Sequence, residues 1–237
     1  MTTVVIVLVL AALAGLSGVY GLGRARMNNA VFDVAALITT AQLRAISRGA
    51  PHYLLVRQTA DGRLRVHLIE RPDSPPLSPS QWASLDLTQG PGKALEFTRT
   101  LPDGTLVPSN ALLRDQVVLG SGTGPDSGGL AFLDLDSQRI QRPLPAPFGA
   151  VALTTAVTPT DVDRPTPDLL AGCNFCINPS GEPYGALRFS PDGTVEVVTG
   201  NARSGAVIAF APNTRTEADV VPRLLTVSAP AGAAVVF

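Results

Sequence analysis

The sequence predicts an α+β fold: a long N-terminal α-helix, membrane-spanning and then amphipathic, packed on a mainly antiparallel β-sheet domain. Three observations carry this reading. No charged side chain occurs from Met1 to Gly23. From Met27 to Arg48, apolar or small residues recur at spacings of three and four without an intervening Gly or Pro. Beyond Pro51 the apolar period shortens to two and is punctuated by Asp-Gly turns.

The first segment, Val4 to Leu22, reads VVIVLVLAALAGLSGVYGL, about long enough to cross a bilayer at roughly 1.5 Å per residue. Residues 1–23 are therefore the expected transmembrane half of the helix. Val4, Val5, Ile6, Leu8, Leu10, Leu13 and Leu16 are among the large apolar side chains it offers for lateral packing. A cleaved secretory signal is the weaker reading, because Thr2 and Thr3 follow Met1 with no Lys or Arg and no tidy small-x-small site follows. Arg24 and Arg26 come directly after the span, and the positive-inside tendency alone places the downstream side in the cytoplasm. That conflicts with an exported domain unless a charged leader precedes Met1 or the long domain is exported regardless of two charges.

Residues 24–50 are expected to continue the helix as an amphipathic half. Val31, Val34, Ala35, Ile38, Ala41 and Ala45 make one face, with Asp33, Thr40, Arg44, Ser47 and Arg48 on another. Gly49 and then Pro51 end it in the order a helix C-terminus favours. A continuous helix through both halves is about 70 Å long.

Residues 51–237 are read as one β-rich domain. His52–Ala60 and Leu64–Glu70 form a hairpin through Asp61-Gly62. The same turn chemistry recurs at Pro102-Asp103-Gly104 and at Pro191-Asp192-Gly193, the latter between Ala186–Ser190 and Thr194–Thr199. Further strands are predicted at Leu95–Thr100, Gln116–Leu119, Leu130–Leu135, Val151–Thr155, Gly205–Ala211, Leu224–Ala229 and Ala234–Phe237. Arg71–Ser80, Pro143–Pro147 and Thr158–Pro167 read as loops or linkers.

Composition narrows the function. Lys+Arg 18 against Asp+Glu 19 gives a net charge of -1, so no basic excess exists to neutralise phosphates and no nucleic-acid partner is expected. Charged residues are 16% of the chain, while Gly 22 and Pro 21 suit short strands and turns. His52 and His67 are the only histidines, too little for most acid–base or zinc chemistry. Neither an enzyme nor a bound cofactor is expected.

The remaining chemical-looking motifs have plainer readings. Cys173-Asn174-Phe175-Cys176 lacks two further zinc ligands. Export behind a membrane helix makes a small structural disulfide between Cys173 and Cys176 the expected state, with two free thiols the other option. Asp126-Ser127-Gly128-Gly129 resembles the nucleophile segment of trypsin-like proteases, but the histidine-bearing partner segment is missing. Gly120–Gly124 lacks the Lys and helix of a phosphate loop, and Asp134 and Asp136 lack the rest of a calcium loop. Trp82 is left open between a core anchor and an exposed contact.

The residues that suggest a family are Ala41 to Arg48 (AQLRAISR) at the helix end and Leu187 to Thr194 (LRFSPDGT) at a late hairpin. Gly205–Phe210 and Arg223–Ser228 follow in order. After an apolar-then-amphipathic helix, this pattern resembles the type IV pilin-like family, in particular its GspH/FimT-type minor pilins and type II secretion pseudopilins. Arg71–Asp168 matches only loosely. The resemblance implies a pilin-like fold and a non-enzymatic role in assembly, or at the tip, of a type IV pilus or type II secretion pseudopilus. It further implies a processed, methylated N-terminus at Met1 and lateral packing of the first helix half in a filament. The implied partners are other major and minor pilins or pseudopilins, the inner-membrane assembly platform, and a tip adhesin or secreted cargo. The implied location is a single pass in a bacterial inner membrane with the domain in the periplasm, then the filament and the cell surface.

The sequence departs from that family at its fifth residue, where pilins carry a Glu that pairs with a neighbour's α-amine and this chain has Val5. A carboxylate in lipid persists only when paired, so its absence removes one register-setting contact. Either this is a tip subunit lacking that Glu, or it is an anchored relative that does not polymerise, or a short leader belongs before Met1 and shifts the count. Gly15, Gly18, Gly21 and Gly23 loosen the first half, each by about 1 kcal/mol relative to Ala, as pilin helices do in filaments and as membrane helices do generally. The alternative function is a monomeric, membrane-anchored β-domain that binds a protein or glycan. Exchange of residues 1–23 for an unrelated membrane helix is tolerated by that anchor and not by a filament subunit.

Overall fold

The computed structural model describes residues 25, 27–58, 64–71, 82, 85, 91–92, 95, 98–100, 103–108, 111–119, 130–132, 169–177, 183–200, 205–212 and 223–237. Within them lie one N-terminal helix, α1 (Met27–Arg48), and a set of strands that are antiparallel with one exception, an α+β layout. Met27–Arg48 is long and apolar enough to cross a membrane by length and composition.

The strands are β1 (His52–Gln58), β2 (Leu64–Glu70), β3 (Thr98–Thr100), β4 (Leu106–Pro108), β5 (Leu112–Leu119) and β6 (Leu130–Phe132). They continue with β7 (Leu169–Cys173), β8 (Tyr184–Phe189), β9 (Val195–Val197), β10 (Gly205–Pro212), β11 (Arg223–Ser228) and β12 (Ala234–Val236). One five-stranded sheet has the order β5-β2-β1-β8-β9 and a second has β12-β11-β10-β7-β6, while β3 and β4 form a small hairpin. The β6–β7 pairing is parallel.

The hairpins follow the turn chemistry. β1 and β2 pair in register from His52↔Glu70 to Gln58↔Leu64. Between β8 and β9, Gly193 takes φ +85, and the Thr194 amide donates to Asp192 Oδ1 at 3.0 Å. The β3–β4 turn repeats this bond, with the Thr105 amide donating to Asp103 Oδ1 at 2.9 Å. Gly49, at φ +62, closes α1 in the left-handed conformation that glycine adopts without a Cβ clash.

One core joins the helix to both sheets. Val31, Val34, Ile38, Ala41 and Ala45 of α1 are buried, and Met27, Ala30 and Leu37 extend the stripe. They share a contiguous core with Leu54, Val56, Val66, Leu68 and Phe189 of the first sheet and with Ile208, Phe210, Leu225 and Val227 of the second. Two long-range bonds fix the helix on this core. Gln42 Nε2 donates to the Gly193 carbonyl at 3.2 Å, and Arg223 Nε donates to Asn28 Oδ1 at 3.2 Å.

The first sheet is buried on its other face as well. Tyr53, Leu55, Ile69, Tyr184 and Ala186 form a second core with Trp82, Leu85, Leu95 and Leu113. The Trp82 ring lies 5.1 Å from that of Tyr53, so this tryptophan is a core anchor. The amides of Gly92 and Leu95 donate to the carbonyls of Leu113 and Ala111, which ties the covering segment to the start of β5.

Candidate functional site: the outward face of the helix

An α-helix with one buried stripe presents its remaining faces to whatever lies outside the domain. On α1 that outward face is not uniformly polar. Asn29, Phe32, Ala36, Thr39, Leu43 and Ile46 are all exposed and follow one another at alternating spacings of three and four residues. Phe32 is 62% exposed, Leu43 62% and Ile46 50%, and these are large apolar side chains that the domain leaves uncovered. Alternate steps of three and four average 3.5 residues, the period of a helix seam that packs on another helix.

Two threonines on this side of the helix turn their hydroxyls back onto it. Thr39 Oγ1 donates to the Ala35 carbonyl at 3.0 Å and Thr40 Oγ1 to the Ala36 carbonyl at 2.8 Å, so both hydroxyls are satisfied within the helix. From Phe32 to Ile46 the face is thus apolar or small, with the Thr39 hydroxyl already bonded, while Asn29 is polar at its start and Asp33 is exposed beside it. Sequence reasoning took the buried stripe and the polar residues of α1 but not Phe32, Leu43 and Ile46. Their spacing was the available signal.

At the end of α1, charged groups converge on Glu70. Arg114 Nε donates to Glu70 Oε2, Arg48 Nη1 lies 3.5 Å from the same oxygen, and His52 Nε2 lies 3.6 Å from it. Burial alone raises the Glu70 carboxyl, but the hydrogen bond and charge of Arg114, with His52 and Arg48, hold it below the usual range. His52 is fully buried and its Nδ1 bonds the Ala50 carbonyl at 2.9 Å. Burial lowers its pKa despite the opposing pull of that carbonyl and of Glu70. The cluster ties the helix end to β2 and β5.

His67 sits on the opposite face of the same strand, fully buried. Burial, followed by the charges of Arg65 and Arg57, lowers its pKa to about 4. The two-sided burial of the first sheet puts both histidines in the interior.

Cys173 and Cys176 are joined in a disulfide, with Cα atoms 5.5 Å apart. It closes a small clip between the two sheets. Asn174 Oδ1 accepts from the Val207 amide at 2.7 Å and its Nδ2 donates to the Gly205 carbonyl at 3.0 Å, holding the clip to β10. Thr199 Oγ1 donates to the Phe175 carbonyl at 2.8 Å and accepts from the Ala186 amide at 2.8 Å, holding it to β8. The Ile177 amide completes the join by bonding the Tyr184 carbonyl at 2.8 Å. A buried disulfide so placed is structural.

Met1, Val4, Val5, Ile6, Leu8, Leu10, Leu13 and Leu16 lie outside the described residues, as do Ser127, Asp134, Asp136 and the expected strand Val151–Thr155. Among the described residues no group of three or more His, Cys, Asp or Glu is placed to hold a metal ion. No family model, curated protein or solved structure matches the chain.

Proposed function

We propose that this chain is a non-enzymatic minor pilin or pseudopilin that acts by packing its helix against the helices of other pilin-like subunits. The observation that carries the reading is the uncovered stripe Phe32, Leu43 and Ile46 on α1, downstream of an uncharged apolar segment, residues 1–23. A helix committed to its own domain on one side and apolar on the other suits a bundle in which each subunit contributes one helix. Residues 1–23 insert in the membrane and then pack through Val4, Val5, Ile6, Leu8, Leu10, Leu13 and Leu16. The α1 stripe continues that seam beyond the bilayer. The β domain faces the periplasm or the surface and sets subunit order or meets an adhesin or cargo.

The test is to shear surface filaments from the native cell and identify their subunits by mass spectrometry. The reading expects this chain among them, with an N-methylated Met1 peptide. Replacing Ile6 or Leu10 with Asp is expected to remove it.

A second reading treats the uncharged apolar segment, residues 1–23, as a simple anchor. On that reading the chain is a membrane-anchored β-domain that binds a protein or glycan and never polymerises. An unrelated membrane helix in place of residues 1–23 preserves the function of such an anchor and abolishes that of a filament subunit.

A further inference from the structure

The second sheet ends at β12, and that edge is built unlike the others whose side chains are described. Exposed sheet edges in monomeric proteins are normally blunted by shortness, charge, proline or a bulge, because their free amides and carbonyls template another strand, and of these β12, three residues long, has only the first. At one end of the first sheet, β5 carries Arg114 and Asp115 and a register shift opposite Leu68/Ile69. At the other end, β9 carries the exposed Glu196, and its Val195 amide is already taken by the Pro230 carbonyl at 2.9 Å. Along β12 the sequence Ala233-Ala234-Val235-Val236-Phe237 has no charge and no proline.

The register of β12 fixes which backbone groups face outward. The Leu224 and Phe237 amides and carbonyls exchange hydrogen bonds at 3.1 and 2.8 Å, and the Ser228 amide donates to the Ala233 carbonyl at 3.1 Å. In an antiparallel ladder, bonded pairs alternate with non-bonded ones, so Leu225↔Val236 and Val227↔Ala234 are the non-bonded pairs. The amides and carbonyls of Ala234 and Val236 therefore point away from β11, and no hydrogen bond to another described residue takes them up. On one side of this edge Val235 and Phe237 are each 45% exposed.

We infer that the β12 edge pairs antiparallel with the β12 edge of a second copy of this chain, about a two-fold axis through Val235. In that register Ala234 and Val236 of one copy exchange backbone bonds with Val236 and Ala234 of the other. Val235 sits opposite its own equivalent, and Phe237 opposite Ala233. Val236 thus meets Ala234 and Phe237 meets Ala233, the two Val235 side chains meet each other, and no charged side chain meets its like. The same operation on β9 or β5 sets like charges near each other or requires a bonded amide. Two such short strands bury less surface than a standard stable interface, so the dimer is a weak one that forms at high local concentration. The inference is independent of the filament reading.

Position-specific crosslinking of the full chain in detergent tests this. The native cysteines are paired, so Val235→Cys supplies one free thiol, and directly opposed residues bring Cβ atoms within about 5.5 Å. Mild oxidation is expected to give a Val235→Cys homodimer at least about fivefold more readily than Ala233→Cys. A mixture of Ala233→Cys and Phe237→Cys is expected to crosslink as a heterodimer. Adding Val236→Pro removes an outward amide without touching the β11 ladder, and is expected to reduce the Val235→Cys dimer to the Ala233→Cys level while circular dichroism stays unchanged. Equal homodimer yields at 233 and 235, a Val235→Cys dimer that survives Val236→Pro, or association that crosslinks at neither position overturns the inference.

Discussion

Arg114 has no partner across the ladder from β2 and instead reaches Glu70. Leu68 pairs with Asp115 and Ile69 with Leu113, so Arg114 is the extra residue of a bulge, and its Nε donates to Glu70 Oε2. A bulge re-aims side chains, and here it turns a cation toward the helix end, where Arg48 and His52 also meet the carboxylate. Glu70→Gln removes the shared counter-ion of Arg114, which is partly buried, and of Arg48, which is half exposed. It is expected to cost on the order of 2 kcal/mol, read as a lower urea midpoint with unchanged slope. Arg114→Met is expected to cost a similar amount. An unchanged midpoint in both variants contradicts a stabilising role for the cluster.

Acid should loosen this protein from below pH 6.5 rather than only below 4.5. His67 has its pKa lowered to about 4 by burial and by Arg65 and Arg57, so between those values the unfolded chain binds the proton that the folded chain refuses. Stability then rises with pH across that window and is lost as pH falls through it, by on the order of 3 kcal/mol for this group. His52, also lowered, acts in the same direction. Glu70, held low by its cations, contributes stability above its ordinary pKa and loses it as pH falls through its folded value. Thermal melts of wild type and His67→Phe at pH 7 and pH 5 check this, with a smaller pH 7 to pH 5 difference expected in the variant.

The Cys173–Cys176 ring is short, and the loop-entropy estimate for so few residues is about 2 kcal/mol. Paired Cys173→Ser and Cys176→Ser replacements are therefore expected to lower the melting temperature by roughly 4–8 °C for a chain of this size. The bonds of Asn174 and Thr199 remain to hold the clip in place. Loss of folding altogether would show that the disulfide carries more of the join than the hydrogen bonds do.

Gly185 lies beneath that clip. A Cβ there would stand 2.6 Å from the Phe175 ring and 2.9 Å from Cys176 Sγ, both buried. Gly185→Ala is expected to destabilise by about 1–3 kcal/mol through overpacking. Phe175→Leu in the same chain should recover part of that loss in a double-mutant cycle.

Local chemistry made much of the fold legible. The β1–β2 hairpin, the Pro-Asp-Gly turns and the Gly49 helix end all follow from residues adjacent in sequence, as does the buried stripe Val31, Val34, Ile38, Ala41 and Ala45. What was not legible depends on distant neighbours. β7 was missed because Leu169–Cys173 follows a proline-rich stretch and runs into a cysteine clip that reads as a loop. β5 was taken to begin at Gln116, because the Arg114 bulge breaks the alternation that marks its first half. The first sheet is covered on both faces, so β2 is buried almost throughout and its histidine looks like a surface residue to a period-two reading. The outward stripe of α1 was hidden for the opposite reason. Phe32, Leu43 and Ile46 are apolar on a helix already expected to have an apolar face, and only the fold shows that the domain uses the other one.

The central claim is that this stripe packs on another subunit's helix, and photo-crosslinking in the living cell tests it most directly. A photoreactive amino acid at position 43, in place of the exposed Leu43, is compared with one at Asp192, exposed in the β8–β9 turn, and the adducts are identified by mass spectrometry. The account predicts an adduct at 43, absent at 192, to the N-terminal helix of another pilin-like subunit, lost when Phe32 and Ile46 are both changed to Asp. A chain that yields no protein adduct at 43 while folded and present in the membrane contradicts it.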